Sequence, residues 1–440
     1  MNKKERLELA NWVVAQAKKA GADDVAVNVV NQRDIEIEYR EDQLDKLIES
    51  TQNSLSLSIY ANKRYSSHTT NDIKKETLAG FITEAVAMTR YLSEDPYRLL
   101  PDPKYYANQM EIDLELIDPA YDKVSSEKRV EIAKEIQDKT LGLSDKIISC
   151  TSYYSDSFYD TVKVHSNGFE GVREGTSFSS GVEVTVKDGD KGRPADWDWR
   201  SVIFFKDLAS PEIMAKIAVS RALDKIGQTK MASGIYDMIV ENRAVGRIFG
   251  DLTGPMRAGS LQQKSSFLEG KLNQKIASDK LTVTDDPFIK AGLGSRLFDN
   301  EGMATKRRVM IDKGVLKSYY VDNYYGRKLG MEPTIASSTN TVFECGTRSP
   351  EEIIKEVKKG FLVTDFIGGN SNSTTGDFSF GIVGKYIEDG KIIQPVNEMN
   401  ISGSLTEFWH QLVEVGNDPY IYSSLRRPSL YFKDVQFSGI

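Results

Sequence analysis

FSFGIVGKYIEDGKIIQPV, Phe378 to Val396, decides how the C-terminal half is read. Two alternating apolar runs flank an Asp-Gly pair, the residue chemistry that a tight hairpin turn requires. FDNEGMATKRRVMIDKGVLKSYYV, Phe298 to Val321, repeats the signal, with Asp, Asn and Gly set between apolar runs. Everything after Gly234 therefore reads as β-rich, interrupted by two helices. One is SPEEIIKEVKKG, with Ser349 as N-cap, Pro350 next and Gly360 closing it. The other runs from about Ser404 to Val415. Ile367 to Phe378, IGGNSNSTTGDF, is the most loop-like stretch of this region.

Upstream the pattern changes. MNKKERLELANWVVAQAKK places Leu7, Ala10, Val14 and Ala17 at helical spacing and has no continuous apolar segment, so it reads as an amphipathic helix and not as a signal peptide. Strand-like runs follow: DVAVNVV, RDIEIEYRE, NSLSLSIYA and Arg64 to Thr69, then a helix from Ile73 to Leu92. The order recurs, with a helix over Ser126 to Thr140, several strands between Lys146 and Lys206 joined by HSNGFEG and KDGDKG, and a closing helix over Ser210 to Lys225 with Pro211 as its first residue. The predicted fold class is α+β: N-terminal helix and β-meander units, read as a repeat, before a large β-rich C-terminal domain. A Pro-rich linker, Ser93 to Met110, and the stretch Gln228 to Gly234 set the expected domains at 1–110, 111–230 and 231–440.

A chain of 440 residues exceeds what one core usually supports. Its net charge of −7 gives no global attraction to nucleic acid or to an anionic membrane surface. No run of about 18 apolar residues offers a membrane span. Two isolated cysteines, Cys150 and Cys345, form no disulfide framework, and the expected setting is a reducing cytoplasm.

Catalytic signatures are scarce. The three histidines, His68, His165 and His410, lie far apart, and a lone histidine is more often structural than a ligand because zinc needs convergent partners. Nucleophile elbows, phosphate loops and dinucleotide fingerprints are missing. Asp285 with Asp286 reads as turn chemistry before a catalytic pair. The GGNSNSTTGD loop has backbone donors for an anion or a peptide carboxylate, against the plainer reading of a connection. Tyr319, Tyr320, Tyr324 and Tyr325 read as core aromatics, with a peptide-binding wall as the alternative.

That leaves VENRAVGRIFGDL, Val240 to Leu252, a strand end running into a helix whose stripe is Val245, Ile248, Phe249 and Leu252, with Asn242 as N-cap. Together with Gly292 to Met331, Ile367 to Leu405 and LVEVGND, it resembles the TldD/PmbA (TldD/TldE) metallopeptidases, once described as modulators of DNA gyrase. In the TldD branch this helix carries H-E-A-x-G-H, two zinc-binding histidines and a glutamate acting on water, with a late cysteine as third ligand. Here Asn242, Arg243 and Arg247 stand at those positions and no cysteine follows Cys345. Arginine has no lone pair for zinc and cannot act as a base. The resemblance is thus to the TldE/PmbA branch, the subunit without metal.

It implies no catalytic residue and no metal in this chain, zinc in a TldD-type partner, and proteolysis or peptide processing by the pair, with peptides bound as added strands. The peptide-facing surface is placed near Asn242, Arg243, Arg247, Asp299, Asn300, Gly368, Gly369 and Asp377; for the two arginines, salt bridging is the equal alternative. A homodimer of the isolated chain stays open. Two other readings remain: a peptide-binding or regulatory protein without peptidase activity, and a hydrolase with its own metal-free site.

Overall fold

The computed structural model describes residues 1–107, 112–190 and 192–440. The expected boundary at 110/111, the end of the Pro-rich linker and Lys191 of the KDGDKG turn lie outside the described residues.

Helix α1 (Lys3–Lys19) opens with a capping box in which Asn2 and Glu5 bond each other's backbone amides. Strands β1 (Asp24–Arg40), β2 (Gln43–Ala61) and β3 (Arg64–Thr70) form a meander, closed by α2 (Lys75–Thr89). The unit then repeats as α3 (Ser126–Leu141), β4 (Ile147–His165), β5 (Glu170–Val186), β6 (Ala195–Val202) and α4 (Pro211–Leu223), the last capped by Ser210 with Pro211 in its first turn. Antiparallel pairing of β1 with β4 joins the two meanders into one sheet of order β3-β2-β1-β4-β5-β6.

The helices cover one face of this sheet. Leu9, Ala10, Val13 and Ala17 of α1 pack on Val25, Val27 and Val29, so the buried stripe is shifted from the expected one, with Leu7 and Val14 only half-buried at its edge. Each unit's first helix also sends a buried arginine to β4: Arg6 to Asp160 and Arg129 to Asp156, the latter at 2.5 Å. Both arginines are the fourth residue of their helix, which ties the repeat to a shared anchoring device. DVAVNVV and RDIEIEYRE are one strand, not two. Polar Asn31 and Gln32 do not break it, because β2 and β4 pair with this stretch on both sides.

The C-terminal part begins with β7 (Gly234–Val240), α5 (Val245–Thr253) and α6 (Ala258–Gln262). It continues with β8 (Val283–Asp286), β9 (Arg308–Asp312), β10 (Val315–Leu316), α7 (Asn323–Leu329), β11 (Asn340–Phe343) and α8 (Pro350–Ile354). It ends with β12 (Lys359–Ser371), β13 (Asp377–Glu388), β14 (Lys391–Ser404), α9 (Leu405–Phe408), β15 (Leu412–Val415), β16 (Leu425–Arg426) and β17 (Leu430–Ser438). Two sheets result, β10-β9-β8-β11-β16 and β14-β13-β12-β7-β17-β15, around one large apolar core. Both hairpins read from the sequence are present; the β13–β14 turn places Asp389 and Gly390 at φ 47° and 73°.

Three details differ from expectation. The helix at Ser349 stops at Ile354, and Gly360 lies in β12 opposite Asp237, where a Cβ would stand 2.6 Å from the Asp237 carbonyl. Between Ser404 and Val415 the α-helix covers only Leu405–Phe408, a 3-10 turn follows over Trp409–Gln411, and Leu412–Val415 is a strand on β17. The Gly- and Asn-rich stretch is the tip of the β12–β13 hairpin, ordered by strand pairing to Ser371 and Phe378.

Candidate functional site

Strand β7 lies in the middle of its sheet, between β12 and β17, and delivers the chain into α5 from the protein interior. The apolar stripe Val245, Ile248, Phe249 and Leu252 is fully buried, as its spacing requires. Asn242 is not the N-cap, which falls on Ala244 with no side-chain cap. Its side chain instead donates to the Asp418 carbonyl at 2.8 Å, and its backbone amide donates to the Ser429 hydroxyl at 3.1 Å. Ser429 in turn donates its amide and hydroxyl to the Asp418 carboxylate, at 2.9 and 2.7 Å. Burial raises the Asp418 carboxyl above its ordinary pKa, against these two hydrogen bonds.

Arg243 turns away from the helix, towards β6 of the N-terminal sheet. Its guanidinium lies 4.1 Å from the centre of the Trp197 ring, donates to the Trp197 carbonyl and stands 3.7 Å from Asp198. The side chain is 8% exposed, and burial first, then Arg221, lowers its pKa. Arg427 completes the joint by donating to the Arg243 carbonyl at 3.0 Å. Thus Arg243 fastens the C-terminal part to β6. Arg247 is the exposed member, packed on the Phe380 ring at 4.7 Å.

The remaining predicted residues fall into two groups. Gly368, Gly369 and Asp377 lie exposed on the β12–β13 hairpin, which also carries Phe380 under Arg247. The two glycines have φ of 60° and 80° where the register shifts between Ile367 and Asn370, and at Gly369 a Cβ would run into the backbone of Ser379. Asp299 is buried and accepts from the amides of Glu301 and Met303, holding its own turn. Asn300 is exposed on that turn, and its carbonyl accepts from Lys163 of β4. The structure therefore brings Arg247 to the hairpin and places Asp299 and Asn300 by Lys163 of β4 in the N-terminal sheet.

The other candidates are structural. His165 is buried beside Tyr106 and Phe169, and burial pushes its pKa down to about 3. His68 bonds Ser66. Asp285 accepts from Thr339 while Asp286, its neighbour on β8, accepts from the Phe288 amide and Arg307, so the pair does not converge. Among the described residues no three His, Cys, Asp or Glu side chains gather to hold a metal ion. At the junction itself the donors do not fit zinc: Asn242 offers only a weak amide oxygen, and arginine offers no lone pair.

Sequence reasoning missed the partners of these residues. Asp418, Ser429 and Arg427 carry no local signal, since they meet the junction from 176 or more positions away. Trp197 with Trp199 did carry one: aromatics two apart on a strand share a face.

Comparison with known proteins places these elements in a group. Residues 119–226 match the family profile described as the PmbA/TldA metallopeptidase central domain, and residues 233–439 match the C-terminal domain of the same family. A metalloprotease PmbA of Escherichia coli O157:H7 is 29% identical, over 98% of this chain and 96% of that protein. A crystal structure from Bacteroides thetaiotaomicron, named for modulation of DNA gyrase, is 40% identical over the whole of both chains, with a TM-score of 0.97. TldE from Thermococcus kodakarensis shares the fold, with a TM-score of 0.85 at 23% identity over 98% of this chain and all of that one.

Proposed function

This chain belongs to the PmbA/TldA metallopeptidase family, and from that membership we propose that it is a TldE-like subunit, which binds peptide while a TldD-type partner supplies the zinc. The observation that carries this reading is the β7–α5 junction. Where a metal ligand or a base would stand, Asn242 is tied to Asp418 and Arg243 is clamped on Trp197. Neither arginine accepts a proton from water at any working pH.

The exposed groups near that junction support a peptide-handling role. Arg247 and the β12–β13 hairpin present a fixed positive charge beside strand backbone, which suits a peptide carboxylate and an added strand. Arg243 acts through structure, holding the two halves of the subunit in register.

Cleavage of an unstructured peptide by the purified chain, by a zinc-motif paralogue from the same genome and by their mixture tests the proposal. The expected result is cleavage in the mixture well above either component, abolished by a chelator. Cleavage by this chain alone, unaffected by the chelator, overturns it.

A further inference from the structure

We propose that the cleft between the N-terminal sheet β3-β2-β1-β4-β5-β6 and the C-terminal part is a receptor for an uncharged extended peptide segment, with an aromatic or large apolar side chain seated among Trp197, Trp199, Tyr420 and Tyr422. It rests on the peptide-handling reading above and names where this subunit holds its peptide.

The floor is the face of β5 turned away from the helices. Phe178, Val182 and Val184 point into the helix-covered core, so Gly175, Ser177, Ser179 and Gly181 face the other way. Two of these small residues have an aromatic cross-strand partner, Tyr159 opposite Gly175 and Trp199 opposite Gly181. The rings lie down across the glycines: a Cβ on Gly175 would stand 2.6 Å from the Tyr159 hydroxyl, and one on Gly181 would overlap the Trp199 ring. The result is a trough with a low centre and aromatic sides. Loops Gly292–Ser295 and Tyr420–Ser423 close it from above, giving a cavity of about 540 Å³. That volume is within the roughly 300–1,000 Å³ usual for ligand sites, which favour such interdomain positions.

Guanidinium groups brace the walls. Arg243 backs Trp197 at 4.1 Å, Arg427 lies 5.3 Å from the Tyr420 ring, and Arg200 lies 4.5 Å from the Tyr422 ring while donating to its hydroxyl at 2.9 Å. Tyr420 also donates to the Trp199 carbonyl. Rings held in this way lose little freedom when a ligand arrives. Trp197 is nevertheless 43% exposed, a large apolar surface left open at the mouth.

Charge selects the occupant. Among the described residues no charged side chain lines the cleft, although 28% of the chain is charged. An entering carboxylate, ammonium or phosphate would lose its hydration without a partner. The lining hydroxyls, including Ser177, Ser179 and Ser295, suit the amide groups of a peptide backbone, and the rings suit an aromatic side chain. A neutral glycan also stacks on rings, but among the described residues no amide, carboxylate or guanidinium lines the cleft to bracket its hydroxyl pairs.

The test is calorimetric titration of the full chain with an N-acetylated, C-amidated Ser-Ala-Phe-Ala-Ser peptide, its Glu-centred counterpart and maltotriose. Two variants accompany it: Trp199→Ala, which removes a wall, and Ser177→Leu, which fills the floor and leaves the walls intact. Saturable binding of the Phe peptide is expected. Binding should be at least tenfold weaker for the Glu peptide and for either folded variant, and absent for maltotriose. Equal affinity for the two peptides, unchanged binding by Ser177→Leu, or preference for maltotriose overturns the proposal. Binding by the chain with no cleavage in the two-subunit mixture would remove the subunit reading and keep this site; cleavage in the mixture with no binding by the chain would do the reverse.

Discussion

At the β7–α5 junction, Asn242 donates to the carbonyl of Asp418, and one guanidinium nitrogen of Arg243 donates to that of Trp197. In the neighbouring cleft, Trp197 and Trp199 keep ring surface open over a floor of glycine and serine. The same tryptophan serves both: one side of Trp197 meets the Arg243 guanidinium, and the residue lines the cleft. On the function proposed above, the position where a metallopeptidase would keep its reactive groups is here a structural joint, and the cleft that the joint braces is the proposed peptide receptor.

Breaking the joint should have the largest effect. Arg243→Ala removes a buried stack and the link to β6 but leaves Asp198 paired with Arg200 at 2.9 Å. The expected loss is about 2–3 kcal/mol in urea unfolding, below the full cost of stripping a buried ion pair, together with weaker binding of the Phe peptide. Trp199→Ala strikes the cleft side instead, with a loss of about 2 kcal/mol expected for a half-buried aromatic. A drop in peptide affinity without any change in partner association would separate the two regions.

Asp418→Asn sharpens the junction side through pH. Burial raises the Asp418 carboxyl in the folded chain, so the folded state holds its proton more readily than the unfolded one. Stability from this group is full below the unfolded value, about pH 4, and is lost as pH rises through the folded value. The variant should flatten the urea-midpoint profile above about pH 4, where the wild-type chain loses this contribution. Arg247→Ala is the mildest change. Exposed and stacked on Phe380, it should cost about 0.5 kcal/mol or less, while cleavage by the two-subunit mixture falls if Arg247 faces the peptide.

What was legible in the sequence was local. The Asp389-Gly390 turn, the Ser210-Pro211 helix start and the stripe from Val245 to Leu252 each follow from residues within one or two turns of chain. Where tertiary pairing decides, the local reading failed. Gly360 ends a helical pattern yet serves a parallel strand on β7, and Asn31 and Gln32 look like a break yet sit between two partner strands. The identities at Asn242, Arg243 and Arg247 were legible as chemistry, because side-chain type alone disfavours zinc. Their geometry was not, because Trp197 and Asp418 reach the junction from 46 and 176 positions away.

The most direct test of this division of labour titrates the isolated chain with zinc and, separately, with the Phe-centred peptide in one calorimeter. Saturable heat from the peptide and none from zinc is the predicted result. Stoichiometric zinc binding without peptide binding would contradict it, and would return the junction to chemistry.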